Sequence, residues 1–347
     1  MKMTFRWYGY DDKNTLDYIR QIPGMTGVVT ALYTVPVGEV WPEDEVARLH
    51  DYVTSHGLEM EVIESVPVSE DIKLHRGDYK RHIENFKENI RILSRHGVKC
   101  ICYNFMPVFD WTRSQLDHKL PDGSEALVYY KEDVDKLDPT KLTLPGWDSS
   151  YKPSEVKELI EAYKKLGEEG LWANLKYFLE EIIPVARECD VLMAIHPDDP
   201  AWPIFGIPRI ITCEKNLDRF LGLVDDHYNG LTLCSGSLGT NPQNDMVHLV
   251  KKYAAMDRIH FAHIRNIKLV GEESFEESAH YSKCGSLDMF GMIKAYHDAG
   301  YTKYIRPDHG RMIWDEKAKP GYGLYDRALG SMYITGIWEA LDRMEDK

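Results

Sequence analysis

The stretch "KYIRPDH" at 303–309 is the eighth β-rich run of its kind in the chain, and that count decides the fold. Its apolar start gives way to Arg306, Pro307, Asp308 and His309, a crowd of polar or special residues at what reads as a strand exit. Seven runs of the same character precede it: "MTFRWYG" (3–9), "TGVVTALY" (26–33), "LEMEVIES" (58–65), "VKCICYNF" (98–105), "DVLMAIHP" (190–197), "GLTLCSG" (230–236) and "IHFAHIR" (259–265). Each has strand length and is bounded by turn residues. Most are followed by a helical pattern with end signals. "PEDEVARLHDYVTSHG" opens on Pro42 and acids and stops at Gly57, and "DYKRHIENFKENIRILSRHG" runs from Asp78 to Gly97. Proline and acids at the start with glycine just past the end is the asymmetry expected of a helix. His56 and His96 fall in last turns, where they read as caps favoured by the helix dipole.

Strands alternating with helices predict a parallel sheet. Eight of them favour an α/β fold of the closed (β/α)8, or TIM, barrel kind over an open sheet. No GxGxxG follows the first run, which weakens a dinucleotide-binding reading. The chain is expected to be one domain, 1–347. Its fourth unit is interrupted by a long stretch at 107–170, predicted to be a partly helical insertion that covers the active face.

The bulk properties narrow the function. At 347 residues and 43% hydrophobic, the chain can bury a full core. It has no run of eighteen apolar residues, and its start, "MKMTFRWYGYDDKN", lacks the apolar core of a secretion signal. A cytoplasmic location without membrane contact is the expectation. The six cysteines (100, 102, 189, 213, 234 and 284) form no CxxC pair and are expected to be reduced thiols. A net charge of −14 and the lack of a basic, aromatic-laced cluster disfavour nucleic acid as a partner.

Four consecutive runs carry a metal-ligand residue at the exit: His196, Cys234, His263 and Asp308. In a barrel those ends converge on one mouth, and imidazole, thiolate and carboxylate together suit a divalent transition ion. By donor type alone Zn2+, Fe2+ or Co2+ would serve. Two-residue periodicity turns Arg265 with His263 and Arg306 with Asp308, so a guanidinium stands beside each ligand, ready to grip an anionic, oxygen-rich substrate. Asn104 and Glu64 end runs four and three, where they could meet hydroxyls, and Trp7 and Tyr8 could wall the pocket. His309 stands next to Asp308 without entering the donor set, a natural general acid or base. Tyr322, between Gly321 and Gly323, could reach the mouth as a proton donor.

At these residues the chain resembles the mannonate dehydratase family of xylose-isomerase-like barrels. The resemblance runs through "RWYG" (6–9), "CYNFMPVFDWTR" (102–113), "AIHPDDPAWPIFGIPRI" (194–210), "LCSGSLG" (233–239), "FAHIRN" (261–266), "IRPDHGR" (305–311) and "GYGLYDRALG" (321–330). It implies a hydro-lyase of hexuronate (glucuronate) catabolism that turns D-mannonate into 2-keto-3-deoxy-D-gluconate with Mn2+ or Fe2+. It also implies His196, Cys234, His263 and Asp308 as ligands, and His309 with Tyr322 as the proton-transfer pair. The competing readings are a metal-dependent sugar isomerase or epimerase on the same barrel, a metal nuclease of the endonuclease-IV kind, and a sugar-acid sensor. The sequence leaves room for a homo-oligomer.

Overall fold

The computed structural model describes residues 1–139 and 153–345. In chain order the strands are β1 (Lys2–Arg6), β2 (Met25–Thr30), β3 (Glu59–Glu64), β4 (Cys100–Tyr103), β5 (Gln115–Lys119), β6 (Glu125–Tyr129), β7 (Leu192–Ile195), β8 (Asn229–Cys234), β9 (Ile259–Ile264), β10 (Asn266–Gly271), β11 (Ser274–Ser278) and β12 (Tyr304–Pro307). Eight of them close a parallel barrel in the order β1-β12-β9-β8-β7-β4-β3-β2. Each lies on one of the eight β-rich runs of the sequence. Pairing of β1 with β12 shuts the ring, with Met3 opposite Ile305.

Both faces of these strands are covered, which explains why they read as apolar runs rather than clean alternations. Every residue of β4, β8, β9 and β12 is buried. Alternate residues divide the core in two. Val29, Val62, Cys100, Cys102, Ala194, Phe261 and Tyr304 form one cluster inside the barrel. Their neighbours, such as Val28, Ile63, Ile101, Met193, Leu233 and Ile305, pack in the larger layer against the helices. The helices bury one stripe each. The helix Glu43–Ser55 does so with Val46, Leu49 and Val53, behind three acids in its first turn. All six cysteines are free. No helix among the described residues is long and apolar enough to cross a membrane.

The excursion after the fourth strand carries, besides the expected helical parts, a β-hairpin. Its described part holds the hairpin, β5 and β6, then one short helix, Lys131–Val134, and a helical stretch, Pro153–Glu188, broken at Gly167 (φ 68°). Residues 140–152 of the predicted insertion lie outside the described residues. The sequence "QLDHKLPDGSEALVY" accounts for the hairpin, since alternating residues flank a Pro-Asp-Gly-Ser turn. The hairpin does not stand alone. It joins β10 and β11, from the acidic segment after β9, in an antiparallel sheet ordered β10-β11-β6-β5. Tyr129 stacks on Phe275 with ring centroids 5.9 Å apart, and Trp202, Ile204 and Ile267 pack with them. Two insertions far apart in the chain thus make one accessory sheet.

Candidate active site at the barrel mouth

The inward rows of the barrel continue past the strand ends into the mouth. Val62 leads to Glu64, Cys102 to Asn104, Ala194 to His196, Thr232 to Cys234, Phe261 to His263, and Tyr304 through Arg306 to Asp308. Register sets the neighbours: Cys234 lies opposite His263, and His263 opposite Arg306. Backbone bonds fix the residues just beyond the strands. His196 N–H donates to Tyr103 O (2.7 Å) and Asp308 N–H to Ile264 O (3.0 Å).

Ligand atoms of His196, Cys234 and His263 all lie within 4.8 Å of one another. Asp308 joins them with Oδ2 at 3.4 Å from Cys234 Sγ and Oδ1 at 3.8 Å from His263 Nδ1. The surroundings suit a metal site. His196 Nδ1 is 2.8 Å from Pro197 O, which engages that nitrogen as a hydrogen-bond donor and leaves Nε2 as the ligand atom. Cys234 caps the turn Ser235–Gly239, and its sulfur accepts bonds from Ser237 N–H (3.4 Å) and Ser237 Oγ (3.1 Å). Two imidazoles, a thiolate and a carboxylate at one point fit a divalent transition ion. Glu64, Cys102 and His263 form a second group of that spacing. There the Arg306 guanidinium already stands between Glu64 (3.1 Å) and His263 (3.1 Å), and burial pushes the Cys102 thiol well up, so that group is filled by protein.

The donor cluster adjoins a cavity of ≈ 250 Å³ whose walls include Arg6, Tyr8, Tyr33, Asn104, Trp111, His196, Arg306, Asp308, His309, Lys319 and Tyr322. His309 and Tyr322 meet there, with Nε2 2.8 Å from the phenol oxygen. Burial, with Tyr8 and Asp308 adding to it and Arg306 opposing, holds the Tyr322 phenol well above its usual range. Asp308 goes the other way. Burial would raise its carboxyl, but the charges of His309, Arg306, His263 and Arg265 hold it well below the usual range.

Behind the cavity lies a buried charge cluster. Arg113 and Arg265 both reach Asp199 (2.8 Å each), and Arg113 reaches Glu277 (2.7 Å). Arg265 also lies 3.3 Å from Asp308 and 2.8 Å from His309 Nδ1. Burial opposes ionisation of Asp199 and Glu277, but the two arginines outweigh it and keep both low.

The residues picked from sequence divide into three groups. His196, Cys234, His263 and Asp308 come together, and so do His309 and Tyr322. Asn104 and Arg306 line the cavity, where Arg306 Nη1 makes no hydrogen bond among the described residues. Arg265 lines it too, but its terminal nitrogens are spent on Asp199, Glu277, Asp308 and His309. The expectation that it grips substrate is therefore replaced by a scaffolding position. Trp7 is a correction. It is 2% exposed, stacks on Tyr52 and faces the outer layer. It takes the outward parity of β1, whereas Arg6 and Tyr8, one residue to either side, line the mouth. Arg113, Asp199 and Glu277 were not picked. Arg113 and Asp199 lie inside the motifs at 102–113 and 194–210, and Glu277 shares strand parity with buried Phe275 in "SFEES".

Comparison with known proteins agrees with this architecture. A family model described as D-mannonate dehydratase (UxuA) matches residues 1–347. "Mannonate dehydratase 2" of Halalkalibacterium halodurans is 55% identical over 343 residues, covering 98% of this chain and 99% of that protein. The mannonate dehydratase of Thermotoga petrophila is 55% identical over 359 residues, covering 100% and 99%. A crystal structure of mannonate dehydratase from Streptococcus suis superposes with a TM-score of 0.94 at 48% identity, over 100% of this chain and 96% of that one. An L-ribulose 3-epimerase, at 12% identity and a TM-score of 0.54, shares the fold alone.

Proposed function

Given that the chain belongs to the D-mannonate dehydratase (UxuA) family, we propose that it is a hydro-lyase removing water across C2–C3 of D-mannonate to give 2-keto-3-deoxy-D-gluconate, with His309 and Tyr322 as its proton-transfer pair. The observation that carries the residue assignment is the 2.8 Å contact between these two side chains on a cavity that the donor cluster adjoins. His196, Cys234, His263 and Asp308 would hold the cation, Mn2+ or Fe2+ by the family resemblance. A divalent cation there supplies a Lewis acid that stabilises negative charge developing on the substrate carboxylate and 2-hydroxyl.

The protein residues account for the protons. Arg306, with Nη1 unengaged, receives the carboxylate end of the substrate. His309 Nε2 takes the proton from C2. The C3–O bond then breaks, the electron pair left by the C2 proton forms the C2–C3 double bond, and the Tyr322 phenol protonates the departing oxygen, releasing water. Tyr322 suits the acid role by position, since its phenol is protonated at neutral pH and lies 2.8 Å from His309 Nε2. The proton on His309 returns to Tyr322 across their hydrogen bond, and the enol left behind tautomerises to the 2-keto acid. Asn104 is placed to meet a substrate hydroxyl. A small-molecule sugar acid is the partner this site serves, in a cytoplasmic setting, and a homo-oligomer is compatible with it.

Metal-loaded protein incubated with D-mannonate tests the reading. A 2-keto-3-deoxy product, with elemental analysis giving one Mn or Fe per chain, is the expected result. A 3-epimer or ketose product would instead mark a sugar isomerase or epimerase on the same barrel. His309→Asn retaining wild-type turnover would remove that residue from the scheme.

A further inference from the structure

The chemistry proposed above needs His309 to present one ring nitrogen to the substrate, and an imidazole on a loop can swing about two bonds. We propose that Glu277, carried by the accessory sheet on β11, is the positioning residue that holds the His309 ring, so that the working unit is a Glu277–His309–Tyr322 series rather than a pair. The inference rests on the assignment of His309 to proton transfer.

The geometry is continuous. Tyr322 Oη is 2.8 Å from His309 Nε2, and His309 Nδ1 is 3.1 Å from Glu277 Oε1. All three side chains are buried. Glu277 is itself immobilised, since the same Oε1 receives Arg113 Nη2 at 2.7 Å. Its second oxygen makes no hydrogen bond among the described residues, so one oxygen carries its contacts. Arg265 Nη1 stands 2.8 Å from the same Nδ1. An acceptor and a donor therefore flank one ring nitrogen. Whichever way the Nδ1 proton stands, one neighbour matches it, and the ring keeps its orientation through a proton transfer at Nε2. The surrounding charges balance without the histidine, because Arg113 and Arg265 pair with Asp199 and Glu277. Glu277 thus need not take a proton in the reaction. Its contribution is direction, as with the orienting carboxylate of other acid–base sites.

This arrangement also gives the accessory sheet a use. Arg113 precedes β5 and Glu277 sits on β11, so the two segments that build the sheet each contribute one side of the clamp.

The test uses full-length, metal-loaded protein with D-mannonate and with D-mannonate deuterated at C2. Glu277→Leu should lower kcat by about 10²-fold with KM within about threefold, and with a C2 isotope effect at least as large as wild type. Glu277→Gln keeps a carbonyl oxygen at the contact position and an amide nitrogen where no partner stands, so it should recover kcat to within about 10-fold of wild type. Wild-type kcat in Glu277→Leu overturns the proposal. So does a loss shared equally by kcat, KM and metal content, which would mark a residue that only holds the fold. Should Glu277→Leu not fold, Glu277→Met, which also lacks the accepting oxygen, decides. A kcat reduced about 10²-fold with unchanged KM and an isotope effect at least as large as wild type supports the role, and wild-type kcat with an unchanged isotope effect overturns it. His309→Asn run in parallel separates the levels. Full activity there removes the parent assignment, whereas an inactive His309→Asn beside a wild-type Glu277→Leu removes only this inference.

Discussion

The barrel rim and the accessory sheet meet at His309, yet they are built on opposite terms. The rim takes its side chains from the ends of parallel strands whose interiors are apolar and covered on both faces. Each donor there is the next inward step of a row that begins in the barrel core. The accessory sheet is antiparallel and small, and its outer strand β5 alternates between exposed and half-buried residues. It offers the site no donor to the proposed metal, only Glu277 and, from the loop before β5, Arg113. In the proposed scheme the rim places the groups that react, and the sheet aims them. A rigid closed barrel can fix donors to within a fraction of an ångström, while an inserted sheet can be altered without disturbing them.

Five measurements break or sharpen this division. The largest effect is expected at the mouth itself: Tyr322→Phe removes the acid and should cost about 10²–10⁴-fold in kcat, read by steady-state turnover of D-mannonate, while metal content stays at the wild-type level. Next comes the joint between the regions. Asp199→Ala leaves Arg113 and Arg265 buried without their shared carboxylate, so unfolding in urea should show a loss of about 3–5 kcal/mol. The same joint sets the acid limit. The folded-state pKa values of Asp199 and Glu277 lie below their unfolded values, so their contribution is complete above about pH 5 and is lost as pH falls further through the native values. Stability measured from pH 7 down to pH 5 should show no loss from these two groups, and a proton-linked decline should set in below about pH 5. A smaller effect belongs to the rim's outer support. Ser237→Ala deletes the 3.1 Å hydroxyl bond to Cys234 Sγ and should weaken Mn2+ binding by about 10-fold in equilibrium dialysis. The smallest is at the far side of the accessory sheet. Lys131 and Glu273 pair at 2.8 Å on the surface, and Lys131→Ala should change stability by less than about 1 kcal/mol and turnover not at all. A large loss of turnover there would mean that the whole sheet, not its buried edge alone, conditions the site.

The rim was legible because its logic is local. A run such as "DVLMAIHP" announces a buried strand and, at its exit, a residue with no business in apolar surroundings. Eight such runs fixed the barrel, and four residues of metal-ligand type at corresponding exits marked the mouth. Local parity also explains the one misplaced residue. "RWYG" offers three large side chains in succession, and nothing short of the strand's facing decides that Arg6 and Tyr8 look inward while Trp7 packs against Tyr52. The accessory sheet was not legible. β6 pairs with β11 some 146 residues further on, Tyr129 opposite Phe275. Neither segment could be recognised as half of a sheet without the other. In "VGEESFEESAHYSK" the acids look alike, and burial of Glu277 depends on two arginines, one of them before β5 and the other after β9. Arg265 was visible as a rim residue, but its spending on protein carboxylates follows from that same distant cluster.

The pairing of β12 with β1 has a consequence for biosynthesis. The four donors leave the ribosome one at a time, at 196, 234, 263 and 308, and the ring can be sealed only after the last of these has emerged. A nascent polypeptide arrested before β12 exposes the open flanks of β1 and β9 and offers an incomplete chelate. The proposed ligand set is thereby completed only when translation is nearly over, and an ion held by all four residues would be taken up by a finished barrel rather than a growing one.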